Sequence, residues 1–239
     1  MSDRAPGTNV GEAAGAATRR PDDAMRIGVL GTGAVGQLLG TKLVALGHTV
    51  CMGSRDAANP KAAAWASKAG AGGRHGAFRD AAAFGDLVVN ATKGTASLEA
   101  LAAAGAENLR GKVLIDVGNA VQASPGGPAL RWANTDSLAE QIQRAYPEAK
   151  VVKTLNTMNV AVMAEPAAFP HTNVFVNGND EPAKEQVKRL LQAFGWERER
   201  IIDLGDITAA RGAEGYMLLF FRLVQRLGTP AFNIAVVTR

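Results

Sequence analysis

Three glycines stand within six residues, Gly31-Thr32-Gly33-Ala34-Val35-Gly36, between an apolar run (27–30) and a segment with apolar residues at helical spacing. A strand that turns through glycines into a helix offers an anion free backbone N–H groups and the positive end of the helix dipole. The spacing gives each glycine a task. Gly31 permits the tight turn, Gly33 lets the backbone approach a pyrophosphate, and Gly36 lets helix and strand pack closely. The chemistry implied is the holding of a dinucleotide, with residues 31–36 as its cradle.

The second strand says which dinucleotide. A site for NAD places Asp or Glu about 20 residues past the glycines, where the carboxylate holds the ribose 2′-hydroxyl. Here that end reads Met52-Gly53-Ser54-Arg55, with no carboxylate. The planar donor fork of Arg55 and the hydroxyl of Ser54 suit a 2′-phosphate instead, and Thr32 can add a second hydroxyl. NADP is therefore the expected cofactor.

Three further strand ends on the same edge carry polar residues. Thr92 and Lys93 follow one strand and are candidates for cofactor phosphate or nicotinamide ribose; a polar loop is the alternative. Asn119 follows the next, suited to a carboxamide or a substrate, while Asp116 reads as a loop-capping residue. Asn156, Thr157 and Met158 follow a third and are expected on the substrate side of the nicotinamide, or else in an Asn-stabilised turn.

No assembled acid–base set is visible, so no catalytic residue is assigned. Hydride transfer to another ring-based carrier needs mainly alignment of two carbons, whereas carbonyl reduction needs a proton donor, for which Tyr216 or Lys93 is available. Tyr146 and Lys150 match a Tyr-x-x-x-Lys spacing, but Pro147 and a strand starting at Lys150 keep the two off one helix face. His48, His75 and His171 are isolated and Cys51 is alone, so neither a metal site nor an internal disulfide is expected.

These residues need a sheet edge to gather on. Apolar runs at 26–30, 49–53, 86–90, 112–117, 150–155, 173–176 and 200–203, with a short one at 74–77, read as strands. Helices are expected at 34–46, 59–69, 96–104, 135–145 and 181–194, the fourth capped by Thr135 or Asp136. The alternation specifies a Rossmann-type, doubly wound α/β fold with a mostly parallel sheet. The expected organisation is a disordered tail (1–24), an NADP-binding domain (25–204) and a helical extension (205–239) that closes the pocket or forms a subunit interface.

Composition bounds the rest. The chain has 239 residues, 47% hydrophobic and 20% charged, which supports one globular core. Net charge is +4, and the first 24 residues carry three Arg against four Asp or Glu, leaving +5 on the remainder. The basic residues are scattered, so a phosphorylated small-molecule ligand is expected rather than nucleic acid. No apolar stretch reaches the roughly 18 residues of a membrane span, and Arg19-Arg20 is followed by Pro21-Asp22-Asp23 rather than an apolar leader, so a cytoplasmic protein is expected. The apolar 216–224 segment suggests a homodimer.

The sequence also resembles a known family. The segments Met25-Arg26-Ile27-Gly28-Val29-Leu30-Gly31-Thr32-Gly33, Leu46-Gly47-His48, Gly53-Ser54-Arg55, residues 152–157 and residues 174–180 together resemble NADPH:F420 oxidoreductases. They are also similar to the cytoplasmic reductase domain of six-transmembrane metalloreductases. The resemblance implies hydride exchange between NADP and a deazaflavin, coenzyme F420, or a flavin. It implies that Thr32, Ser54 and Arg55 hold the 2′-phosphate and that residues 156–158 face the second ring. The chain departs from the archaeal F420 enzymes in having Asn156 for a His, Asn59 for a further basic residue, and Thr92-Lys93 for an apolar residue and Pro. Reduction of a small carbonyl or imine substrate, and an NADP sensor without turnover, are the alternatives.

Overall fold

The computed structural model describes residues 24–238. All of the expected tail except Ala24 lies outside the described residues. The first half alternates strictly: β1 (Arg26–Leu30), α1 (Ala34–Ala45), β2 (Thr49–Ser54), α2 (Pro60–Ala69), β3 (Gly73–Ala77), α3 (Phe78–Phe84), β4 (Leu87–Asn90), then α4 (Ser97–Ala104) with the short α5 (Ala106–Leu109). β5 (Val113–Asp116) leads into a hairpin, β6 (Val121–Ser124) and β7 (Gly127–Leu130), and then α6 (Leu138–Ala145). β8 (Lys150–Thr154), α7 (Val160–Ala164), β9 (Val174–Gly178), α8 (Glu181–Phe194), β10 (Ile201–Asp203) and α9 (Ala210–Leu227) follow.

The sheet runs β10-β9-β8-β5-β4-β1-β2-β3. The chain winds outward from β1 to β3, then returns to β4 and winds the other way. The β1/β4 boundary is thus the switch point, where the carboxyl ends open into a crevice. Val, Ile and Leu fill the strands because both faces are covered. On one face Ile27, Val29 and Val152 pack under Leu39 and Leu43 of α1, Trp65 of α2 and Leu191 of α8. On the other Leu30, Val88 and Leu114 pack under Phe78, Leu101, Leu138 and Ile142. Gly40 lets α1 approach the Trp65 ring, where a Cβ would stand 2.8 Å from the indole.

The doubly wound, mostly parallel sheet is as expected; the short helices α3, α5 and α7 were not in the expected set, and other details differ. β9 runs antiparallel to β8. The β6–β7 hairpin, absent from the expected set, turns through Pro125-Gly126, a signal that was present in the sequence. α6 starts at Leu138 and is capped by Ser137, whose hydroxyl accepts from Glu140 N. Of the two expected caps, Thr135 lies before the helix start and Asp136 is held by Arg144 and Gln141. β8 stops at Thr154 because Leu155 takes a left-handed conformation, φ 60°. Among the described residues no helix is long and apolar enough to cross a membrane.

Candidate functional site

The cradle forms at the carboxyl end of β1. Gly31 has φ 119°, its N–H donates to Gly53 O at 2.9 Å, and a Cβ there would lie 2.5 Å from Ala91 O. A Cβ at Gly36 would collide with the carbonyl oxygen of Gly31, so this glycine sets the strand–helix approach. At Gly33 the Cβ direction meets nothing within 4 Å among the described residues. Gln37 Nε2 braces the turn by donating to Thr32 O at 2.9 Å. α1 has no side-chain cap at Gly33 and no acidic residue in its first turn, whereas α2, α6 and α8 are capped by Asn59, Ser137 and Asp180. An uncapped helix N-terminus facing an open glycine fits a pyrophosphate.

A groove of about 690 Å³ runs from this turn between the β2 and β4 exits. Seven of the expected cofactor residues line it: Gly31, Thr32, Gly33, Ser54, Arg55, Thr92 and Lys93. Ala34 and Val35 form the first turn of α1, and Gly36 is buried beneath it. The exposed Arg55 guanidinium makes no hydrogen bond or ion pair among the described residues. The nearest carboxylate in the sequence, Asp56, caps its own turn by accepting from Ala58 N at 2.9 Å. An open cation with the adjacent carboxylate turned aside fits a 2′-phosphate better than a ribose hydroxyl. Two hydroxyls are engaged elsewhere. Ser54 donates to Asp56 O, and Thr92 donates to Asn90 Oδ1 at 2.6 Å and meets Ser97 Oγ at 3.0 Å.

The other expected residues gather beside β5 and β8, outside that groove. Asn119 Nδ2 donates to Asn156 O at 2.7 Å, and Asn156 Nδ2 donates to Asn119 Oδ1 at 3.0 Å and to Ala213 O of α9 at 3.1 Å. The left-handed Leu155 aims Asn156 across this gap, a strained conformation of the kind that persists where surroundings over-determine it. Thr157 Oγ1 is buried with no partner among the described residues, and Met158 packs into the core.

Beneath them lies a cluster that reading by motif missed. Lys153 Nζ donates to Asp116 Oδ2 at 2.8 Å, to Glu214 Oε1 at 2.9 Å and to Gly118 O, and all three side chains are at most 1% exposed. Asp116 also accepts from Asn90 Nδ2 at 2.8 Å and Gly118 N at 3.2 Å. Glu214 accepts from Leu138 N at 2.8 Å and Ala139 N at 3.1 Å, at the start of α6. Burial alone would lower the Lys153 ammonium, but the two carboxylates outweigh it and hold the group above its ordinary value. A signal existed: a Lys inside a strand covered on both faces must be paired. Beside the cluster, Arg211 donates to both oxygens of Glu140, fastening α9 to α6. Of the sequence's other candidates, His48 accepts from Met25 N at 3.1 Å, and no group of His, Cys, Asp or Glu suits a metal among the described residues.

Comparison with known proteins agrees with this geometry. Residues 26–120 match the family model described as NADP oxidoreductase, coenzyme F420-dependent. Metalloreductase STEAP3 of Rattus norvegicus is 27% identical over 198 residues, 83% of this chain and 37% of that protein. The F420-dependent NADP reductase of Methanocaldococcus jannaschii is 28% identical over 147 residues, 61% of this chain and 65% of that enzyme. The chain thus spans less than two thirds of either curated relative. A solved structure from Arthrobacter sp. FB24, provisionally designated an F420-dependent NADP reductase, is 48% identical, covers 90% of this chain and 100% of its own, and superposes with a TM-score of 0.84. A reductive aminase from Aspergillus terreus shares the fold alone, at 19% identity, a TM-score of 0.60, and 86% and 62% coverage. With the glycine cradle, the open Arg55 and a half-identical relative over the whole fold, this chain belongs to the family of coenzyme F420-dependent NADP oxidoreductases.

Proposed function

We propose that this protein passes hydride between NADP(H) and a deazaflavin or flavin-like acceptor. The observation that carries the reading is the groove with Arg55 open at one end and the uncapped α1 turn at the other. NADP(H) would supply the hydride chemistry when bound. The chain's own residues bind and orient. Arg55, with Thr32 and Lys93, holds the 2′-phosphate end, residues 31–36 hold the pyrophosphate, and Asn119 with Asn156 sets the nicotinamide side. The buried wall of α9 behind Asn156 keeps water from the acceptor side.

The test is loss of NADPH absorbance on addition of F420, FMN, FAD or a ferric chelate. Turnover with F420 or a flavin is expected; NADPH binding without oxidation by any of them would favour the sensor reading. A second enzyme reading rests on Tyr216, one helical turn beyond Ala213 on α9, whose hydroxyl is buried with no partner among the described residues. In that reading Tyr216 donates a proton to a carbonyl or imine, and Tyr216→Phe abolishes that reduction while sparing deazaflavin turnover. The outward face of α9, where Leu218 and Leu219 are 45% and 54% exposed, supports the pairing of two copies. The cytoplasm remains the compartment this reading assumes.

A further inference from the structure

Lys153, Asp116 and Glu214 take part in none of the binding contacts above, yet they are the most deeply buried ion cluster among the described residues. One ammonium faces two carboxylates, so the cluster carries a net negative charge. The carboxylates act only as acceptors: Asp116 from Asn90, Gly118 and Lys153, and Glu214 from Leu138, Ala139 and Lys153. The neighbouring Arg211–Glu140 pair is neutral in sum and leaves that balance unchanged. The start of α6 offsets part of the Glu214 charge. A buried charge imbalance costs free energy, and apolar residues of similar volume would be as stable or more so.

Its place is specific. Asp116 and Lys153 face one another at the ends of β5 and β8. Lys153 holds the carbonyl of Gly118, the residue before Asn119, and Asn119 is joined to Asn156. The negative charge therefore underlies the Asn119–Asn156 bridge.

We propose that the Lys153–Asp116–Glu214 cluster biases the site toward the oxidised cofactor, its net negative charge stabilising the cationic nicotinamide ring over the neutral dihydro ring. The proposal rests on the reading that NADP(H) binds with its nicotinamide at Asn119 and Asn156. The two oxidation states differ by one unit of charge on that ring, and inside a protein such a charge is weakly screened.

The test measures dissociation constants for NADP+, NADPH and nicotinamide-free 2′-phospho-ADP-ribose, in wild type and Glu214→Gln. Removing the Glu214 charge is expected to raise the NADP+/NADPH ratio of dissociation constants by roughly three- to tenfold. Affinity for 2′-phospho-ADP-ribose should stay unchanged, because that ligand lacks the ring. A uniform fall for all three ligands, or a ratio that does not move, overturns the proposal. Asp116→Asn gives a second reading of the same ratio. If neither variant folds, the wild-type ratio decides: NADP+ bound at least as tightly as NADPH sustains the proposal, and a clear preference for NADPH overturns it. A wild type that binds neither form refutes the cofactor reading itself, which separates the two failures.

Discussion

Gly33 and Gly36 sit one helical turn apart, yet a methyl group at each would do opposite things. At Gly33 it meets nothing within 4 Å among the described residues, in the space where the pyrophosphate is proposed to lie; at Gly36 it strikes the Gly31 carbonyl. Gly33→Ala is therefore expected to leave the melting temperature unchanged and weaken NADPH binding by at least about tenfold, through the lost close approach. Gly36→Ala is expected to lose about 1–3 kcal/mol of stability, seen as a lower urea midpoint. Arg55→Ala should weaken NADPH roughly 10- to 100-fold, the usual value of a hydrogen bond to a charged group, and barely touch NADH. Equal loss for both in parallel titrations would remove the phosphate assignment. At this scale the cradle and Arg55 were legible because glycine spacing and the absence of a β2 carboxylate are local facts. The occupied hydroxyls of Ser54 and Thr92 were not, since their acceptors, Asp56 O and Asn90 Oδ1, depend on turn geometry rather than on residue type.

Elements meet at Lys153, which ties β8 to β5 and to α9, while Glu214 ties α9 to the start of α6. Lys153→Met would leave two carboxylates buried without their cation, a loss of about 3–5 kcal/mol. Chemical denaturation should show this as a large midpoint shift, and an unchanged midpoint would deny the cluster its structural weight. The pH dependence has a definite sign. Because the folded ammonium titrates above the ordinary 10.5, its contribution is fully present below that value and declines only as pH rises through the higher folded one. None of this was written in a motif, because Asp116, Lys153 and Glu214 lie far apart in sequence and only the β5–β8 register and the α9 docking join them. Cys51, by contrast, lies inside the apolar strand β2 and is buried. Burial raises its thiol to about 11, so native protein should resist thiol reagents at neutral pH and react only on unfolding.

For the molecule as a whole, the eight strands of the main sheet, their winding and its mostly parallel character followed from the apolar runs, but the hairpin and the reversal between β8 and β9 did not. Residues 155–173 hold only the five-residue α7 and a single 3-10 turn, too little helix for a full crossover, and β9 returns antiparallel beside β8. That reversal leaves the final segment to pass the head of β9, where Asn173 N donates to Ile234 O at 2.9 Å and Asn173 Oδ1 accepts from Val236 N at 2.7 Å. Phe232 thereby reaches Phe220, their rings 5.1 Å apart, and α9 is gripped on its inner side by Met217 and Phe220. Its outer side keeps the neighbouring Leu218 and Leu219 exposed at 45% and 54%, apolar surface that a lone molecule leaves in water. The proposed pairing of two copies through Leu218 and Leu219 makes a clean prediction. Leu219→Glu should turn a dimer into a monomer in sedimentation velocity, because two carboxylates would face each other across a twofold axis. NADPH affinity should be retained, since the groove lies at the β2 and β4 exits and α9 does not line it. A wild type that sediments as a monomer at all concentrations, or a variant that stays dimeric, would remove α9 from the assembly.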